Sequence, residues 1–323
     1  MTSMYTDYDN IALRILNGVT AGLHLVWAIV FIALWGISER DDGSRKDLVY
    51  PLYTSFITWT DQSPDVPGTR FHEISPGVTE TSVGVSYGQC PSARSILFGG
   101  TAIVAPAWKD SGVKLSLHWL VVSFFLLSAF LQLMMAIRNG IMSAPTIRFT
   151  EYSISASVMI VAIALQIGIL HTHTLILLAT LMWTTMICGL LAEKISTILK
   201  KMAHDKHSHK VHDNPHVDAR SRSEFRTIMT IAHGIGWVLI AVVFGVLLNA
   251  FHQQNSCDKP QSAPKFVWAI VYVELFLFAA FGGVQLLQIT DCIDSSHAEM
   301  GYIVLSFTSK TILGWLVYGG NFV

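Results

Sequence analysis

Seven apolar stretches, each matching the roughly 20 helical residues that cross a hydrocarbon core, leave this chain few ways to fold. They cover about 11–38, 113–137, 144–171, 174–199, 227–251, 265–290 and 299–320. Within lipid every backbone N–H and C=O must be satisfied inside the protein, so stretches of this length span as helices. A share of 52% apolar and 13% charged residues, with a mean hydropathy of +0.49, places most of the chain in lipid. The expected fold is therefore an all-α membrane protein, a single seven-transmembrane-helix bundle over residues 1–323. The first stretch is too long for a signal peptide, because its apolar core runs from Ile15 to Ile37. With a formal net charge of −1 and no basic patch interleaved with aromatics, nothing recommends nucleic acid as a partner.

Orientation follows from the short loops, since long loops cross largely regardless of charge. Arg14, Arg138, Arg148, Lys200, Lys201, Lys206, Lys210, Arg220, Arg222 and Arg226 share one side, and the short loops of the other side offer Lys259 and Lys265. The amino terminus is expected in the cytoplasm and the carboxyl terminus outside. The outside loop 39–112 reads as a small β-rich cap. Val49 to Thr60 is rich in β-branched and aromatic residues, Val78 to Tyr87 alternates, and Pro64, Pro67, Pro76 and Gly77 supply turns. The stretch from Ser95 to Trp108, broken by Gly99, Gly100 and Pro106, joins that cap. Cys90 and Cys257 both fall in outside loops, where they either bridge or stay free; Cys188 lies in an apolar run and Cys292 in a short loop. The cytoplasmic loop 200–226 holds His204, His207, His209, His212 and His216, read as a solvated, partly titrating loop rather than a metal site.

Lys310 is the residue out of place. It sits midway through the seventh stretch, whereas every other lysine lies in a loop or near a helix end. An amine there costs about 2.5–3.5 kcal/mol on insertion scales, which makes it a functional residue by default. A desolvated lysine has the lowered basicity needed to condense with an aldehyde, and the resulting cation requires a nearby anion. Glu151, the one acid of the third stretch, lies about 9 Å into its helix if Pro145 opens it, and Lys310 lies about 16 Å into its own from Glu299. Glu151 and Ser155 are four apart, as are Ser306 and Lys310, so each ionisable group shares a helix face with a hydroxyl. The alternative partner for Glu151 is Arg148, at the membrane edge.

The segments Glu151-Tyr152-Ser153-Ile154-Ser155-Ala156-Ser157 and Ser306-Phe307-Thr308-Ser309-Lys310, the latter followed by Leu313-Gly314-Trp315, resemble the signatures of heliorhodopsins. The inverted orientation and the long first outside loop match that family over nearly the whole chain. The resemblance implies all-trans retinal bound to Lys310 as a Schiff base, with Glu151 as counterion and Ser306 adjusting the linkage. It also implies Ser155, Tyr152, Trp237 and Trp315 as further cofactor-binding residues, and a homodimer in which the first outside loop takes part. His24, halfway through the first helix, matches a family histidine of a polar cavity. The usual second-helix partner histidine is missing, since His118 lies near the outer end and Phe124 and Phe125 occupy mid-helix.

The implied function is a light-sensing photoreceptor with a slow photocycle, acting on a cytoplasmic signalling partner rather than as an enzyme. Glu274, the other deep acid, is either a structural group or, with His24, part of a proton pathway. This second reading makes the chain a light-gated passive proton channel through Glu151 and Glu274. Glu193, beside Lys194, reads as an interfacial charge. A third reading, a membrane haem electron carrier ligated by pairs among His24, His118, His233 and His252, leaves Lys310 unexplained. No nucleophile motif or metal site is expected.

Overall fold

A computed structural model describes residues 2–37, 49–60, 96–98, 102–137, 144–207, 215–256 and 264–322. Seven helices long and apolar enough to cross a membrane follow one another: α1 Thr2–Ile37, α2 Leu117–Ile137, α3 Ala144–Ile167, α4 Thr172–His207, α5 Pro215–Ser256, α6 Lys265–Ile289 and α7 Ser295–Phe322. The protein is an integral, multi-pass membrane protein. In the apolar part of α3, 67% of the residues are buried, against 33–44% in the other six helices, so α3 runs through the centre of the bundle. The lipid-facing sides of the others stay apolar and open, as at Val238, Phe276 and Val304. One continuous core joins Phe31, Phe124, Phe125, Ile160, Ile163, Phe244 and Phe251.

The turns between helices are built from their terminal residues. α3 ends in a Schellman motif: Gly168 adopts φ 91°, its N–H reaches the Leu165 carbonyl at 3.0 Å, and the Ile169 N–H reaches Ala164 at 2.9 Å. The same pattern ends α6 with Asp291 in the left-handed position at φ 59°, the Cys292 N–H reaching the Leu287 carbonyl at 2.9 Å. Asp294 then caps α7, its Oδ1 accepting from the His297 N–H at 2.8 Å.

The sheet has the order β1-β3-β2, all antiparallel, with β1 Val49–Thr60, β2 Ile96–Phe98 and β3 Ala102–Ser116. It is seated on the α3–α4 turn. The Tyr53 N–H donates to the Leu170 carbonyl at 3.0 Å, and the Thr172 hydroxyl donates to the Tyr53 carbonyl at 3.1 Å. The long strand 49–60 and the cap role of the stretch near Ser95–Trp108 match the sequence reading, while Val78 to Tyr87, Cys90 and Cys257 lie outside the described residues.

Two expectations are corrected. Residues 113–116, assigned to the second helix, complete β3, because their backbone pairs with Val49 to Pro51 of β1. The stretch 200–226, read as a loop, is helical at both ends: α4 continues to His207 and α5 begins at Pro215. Hydropathy marks where a chain leaves lipid, and a helix continues past that point where nothing breaks it. Pro215 sits at the first helical position, where a missing N–H costs nothing. His209 and His212 lie outside the described residues, as do the side chains of His204, His207 and His216. Among the described residues no cluster of three or more His, Cys, Asp or Glu side chains is placed to hold a metal.

Candidate functional site

α3 and α7 bring their polar faces together in the middle of the bundle. Lys310 and Glu151 are 2% and 0% exposed, and the Lys310 Nζ lies 2.6 Å from Glu151 Oε1. A buried ammonium left without its anion would cost about 3–5 kcal/mol, so the pair holds the two helices in register. Glu151 Oε1 collects two further donors, the hydroxyls of Ser128 on α2 at 2.6 Å and of Ser155 at 3.1 Å, while Oε2 has no partner. Lys310 also donates to Ser306 Oγ at 2.5 Å, and its Nζ sits 5.3 Å from the centre of the Tyr152 ring. Both i,i+4 pairs read from the sequence are thus hydrogen-bonded.

Next to this pair lies a small cavity between α3, α4, α6 and α7. Its lining combines Lys310, Ser306, Ser309, Ser155 and Tyr152 with the apolar Ala156, Met159, Met186, Phe278 and Phe281. A single amine in a mostly apolar lining suits a long, apolar aldehyde. The donor set fits too: attachment through Lys310 leaves its nitrogen fewer N–H groups, and Ser128 and Ser155 still satisfy Glu151.

Other expected site residues lie around this centre. Glu274 on α6 is fully buried and accepts from the Ser309 hydroxyl at 2.6 Å, one residue before Lys310, while its Oε1 has no partner. His24 is also fully buried, with Nδ1 2.9 Å from Gln132 Oε1. Because that oxygen only accepts, Nδ1 carries the proton and Nε2 is left as a bare acceptor. His24 packs on Phe307 and Phe125, so it approaches the α7 side of the pair from α1.

Trp315 and Trp237 do not line the cavity. Trp315 packs on Trp27, Phe31 and Tyr318 between α1 and α7, because five residues beyond Lys310 the helix has turned to another face. Trp237 lies over Gly282 and lines a separate recess between α4, α5 and α6; its N–H donates to His233 Nε2 at 2.9 Å. Ser128, Gln132 and Ser309 were missed in the sequence. Their signal was a polar residue on an otherwise apolar helix, with Ser128 and Gln132 four apart on one face of α2.

The profile of the heliorhodopsin family matches residues 91–322, well over half of the chain. The chain belongs to the heliorhodopsin family. It is accordingly a retinal rhodopsin, and the four scattered histidines of the haem reading have other partners. His24 bonds Gln132, His118 stacks on Trp35, His233 joins Gln285 and Trp237, and His252 meets Tyr272. Among solved structures, this heliorhodopsin resembles the transmembrane domain of the Salpingoeca rosetta rhodopsin phosphodiesterase. The match has a TM-score of 0.47 and 12% identity, and covers 64% of this chain and 71% of that one. No curated protein matches.

A second polar centre lies at the bundle end opposite the sheet. Arg148, expected at a membrane edge, is wholly buried and ion-paired with both Glu193 of α4 and Glu299 of α7. Its guanidinium lies 4.3 Å from the centre of the Tyr302 ring. Glu193 is thus an interior group, 5% exposed, and the exposed neighbour is Lys194. Glu151 is left to Lys310.

Proposed function

We propose that this heliorhodopsin is a light-sensing photoreceptor in which all-trans retinal is carried by Lys310, with Glu151 as counterion. The observation that supports it is the buried Lys310–Glu151 pair at 2.6 Å, with Lys310 lining a mostly apolar cavity. Once bound, retinal supplies visible absorption and a double bond that light isomerises. Glu151 stabilises the positive charge at the Lys310 nitrogen, and Ser128 and Ser155 fix the orientation of its carboxylate. Ser306 offers the nitrogen a second acceptor one helical turn away, and Tyr152 presents its ring face to the charge. His24 Nε2 is a bare acceptor for a proton leaving the centre. The rearranged helices pass the signal to a cytoplasmic partner from a homodimer whose amino termini are cytoplasmic.

A visible spectrum taken after adding all-trans retinal to purified protein tests this. A band red-shifted from free retinal is expected, and Lys310→Ala removes it. Excitation moves positive charge away from the nitrogen, so Glu151→Gln, which withdraws the anion that favours the unexcited distribution, shifts the band to longer wavelength. Absence of a band in folded protein would refute the assignment.

A second reading is favoured by Glu274, whose buried carboxyl is tied through Ser309 to the residue next to Lys310. It makes the chain a light-gated passive proton pathway through Glu151 and Glu274. A photocurrent that reverses with voltage and vanishes in Glu274→Gln would establish it, and a silent membrane under illumination leaves the sensor.

A further inference from the structure

The charges around Arg148 do not balance. Two carboxylates, Glu193 and Glu299, converge on one guanidinium, and their side chains are 6% and 10% exposed against 0% for Arg148. Fully ionised, the cluster carries two negative charges and one positive, a net −1 in a water-poor interior. Like charges sharing one site cannot both ionise cheaply, and an uncompensated buried charge costs several kcal/mol.

Among the described residues the neighbouring groups do not supply the missing cation. Lys194 follows Glu193 but faces outward from α4. Lys200 is spent on Asp291 at 2.8 Å at the surface, and Arg14 of α1 donates to the Ala136 carbonyl at 2.9 Å. From α6 come only neutral groups: Gln288, which accepts from the Tyr302 hydroxyl at 3.1 Å, and Gln285, which meets His233 of α5 at 3.1 Å. Among the described residues Glu299 Oε1 has no hydrogen-bond partner.

We propose that Arg148, Glu193 and Glu299 form a proton-binding site that holds one proton between the two carboxylates at neutral pH. The proton makes the cluster neutral: one carboxylate pairs with Arg148, and the other stays a carboxylic acid. The site communicates with the lysine centre. Arg148 lies over the Tyr302 ring, Tyr152 OH donates to the Tyr302 carbonyl at 3.0 Å, and the Tyr152 ring faces Lys310. On α7 the residues Glu299, Tyr302, Ser306 and Lys310 follow at helical spacing on one side.

The test is infrared absorption of the full-length protein in lipid bilayers, reading the C=O stretch of protonated carboxyl groups in H2O and D2O. The Glu274→Gln protein, which removes the deep acid outside any ion pair but leaves Glu151 on Lys310 and this cluster intact, should keep such a band at neutral pH. The band should vanish when either Glu193→Gln or Glu299→Gln is added, because the one remaining carboxylate then pairs one-to-one with Arg148. A Glu274→Gln protein without a protonated carboxyl at neutral pH would overturn the proposal. So would a band that survives both added substitutions.

Discussion

At the scale of single residues, Glu151 Oε1 accepts from three donors while Oε2 accepts from none. The Ser128 bond is as short as the ion pair, 2.6 Å in each case, and hydrogen bonds to a charged group contribute about 1.5–3 kcal/mol. Each donor spreads the carboxylate's charge and weakens its hold on the Lys310 nitrogen. Ser128→Ala should therefore concentrate negative charge toward that nitrogen and move the retinal band to shorter wavelength, opposite in sign to Glu151→Gln. Ser155→Ala, which removes a longer bond of 3.1 Å, should move it the same way but less. Absorption spectra of the two variants, recorded together, check the order.

At the scale of the helices, the ends are set by local chemistry and the bodies by lipid. Asp294 shows this at the start of α7, where hydrogen bonds from the His297 backbone and ring hold its carboxyl below the ordinary value of 3.8. A carboxyl with a depressed folded-state value stabilises above its ordinary range and loses that contribution as pH falls through the lowered value. Asp294→Ala should therefore cost about 1 kcal/mol at neutral pH. The deficit should disappear in acid, as read by thermal loss of helical signal in detergent. The seven spans and the central lysine–glutamate pair were legible because a charge amid apolar residues stands out and helical spacing fixes its face. Arg148 and Glu193 were misread because a residue near a helix end is interfacial only if that end reaches water, which depends on how neighbouring helices overlap. The finish of α4 and the start of α5 were misread for the converse reason, since polar sequence beyond the lipid does not stop a helix. Trp237 and Trp315 were implied by the family resemblance, whereas their positions on their helices turn them away from the cavity beside Lys310.

At the scale of the whole molecule, the two ends of the bundle differ in length and charge. α4 and α5 contain 36 and 42 residues, about 54 and 63 Å of helix at 1.5 Å per residue, against a hydrocarbon core of about 30 Å. Their starts and ends place the surplus mainly at the end opposite the sheet, where α4 finishes and α5 begins. Lys200, Lys201, Arg220, Arg222 and Arg226 lie in these extensions. At the sheet end the described basic residues near helix termini are Lys114 and Lys265. If basic residues near the spans set orientation, the extended end faces the cytoplasm and the sheet faces outside. Cys292, exposed in the α6–α7 turn, is a native reporter for the extended end, and Val113, half exposed in β3, is a site for an engineered one. In a Cys90→Ser, Cys257→Ser background, a membrane-impermeant thiol reagent applied to intact cells should leave Cys292 unmodified until the cells are opened. The same reagent should modify a Val113→Cys protein at once. The opposite pattern would invert the topology, placing the basic extensions outside.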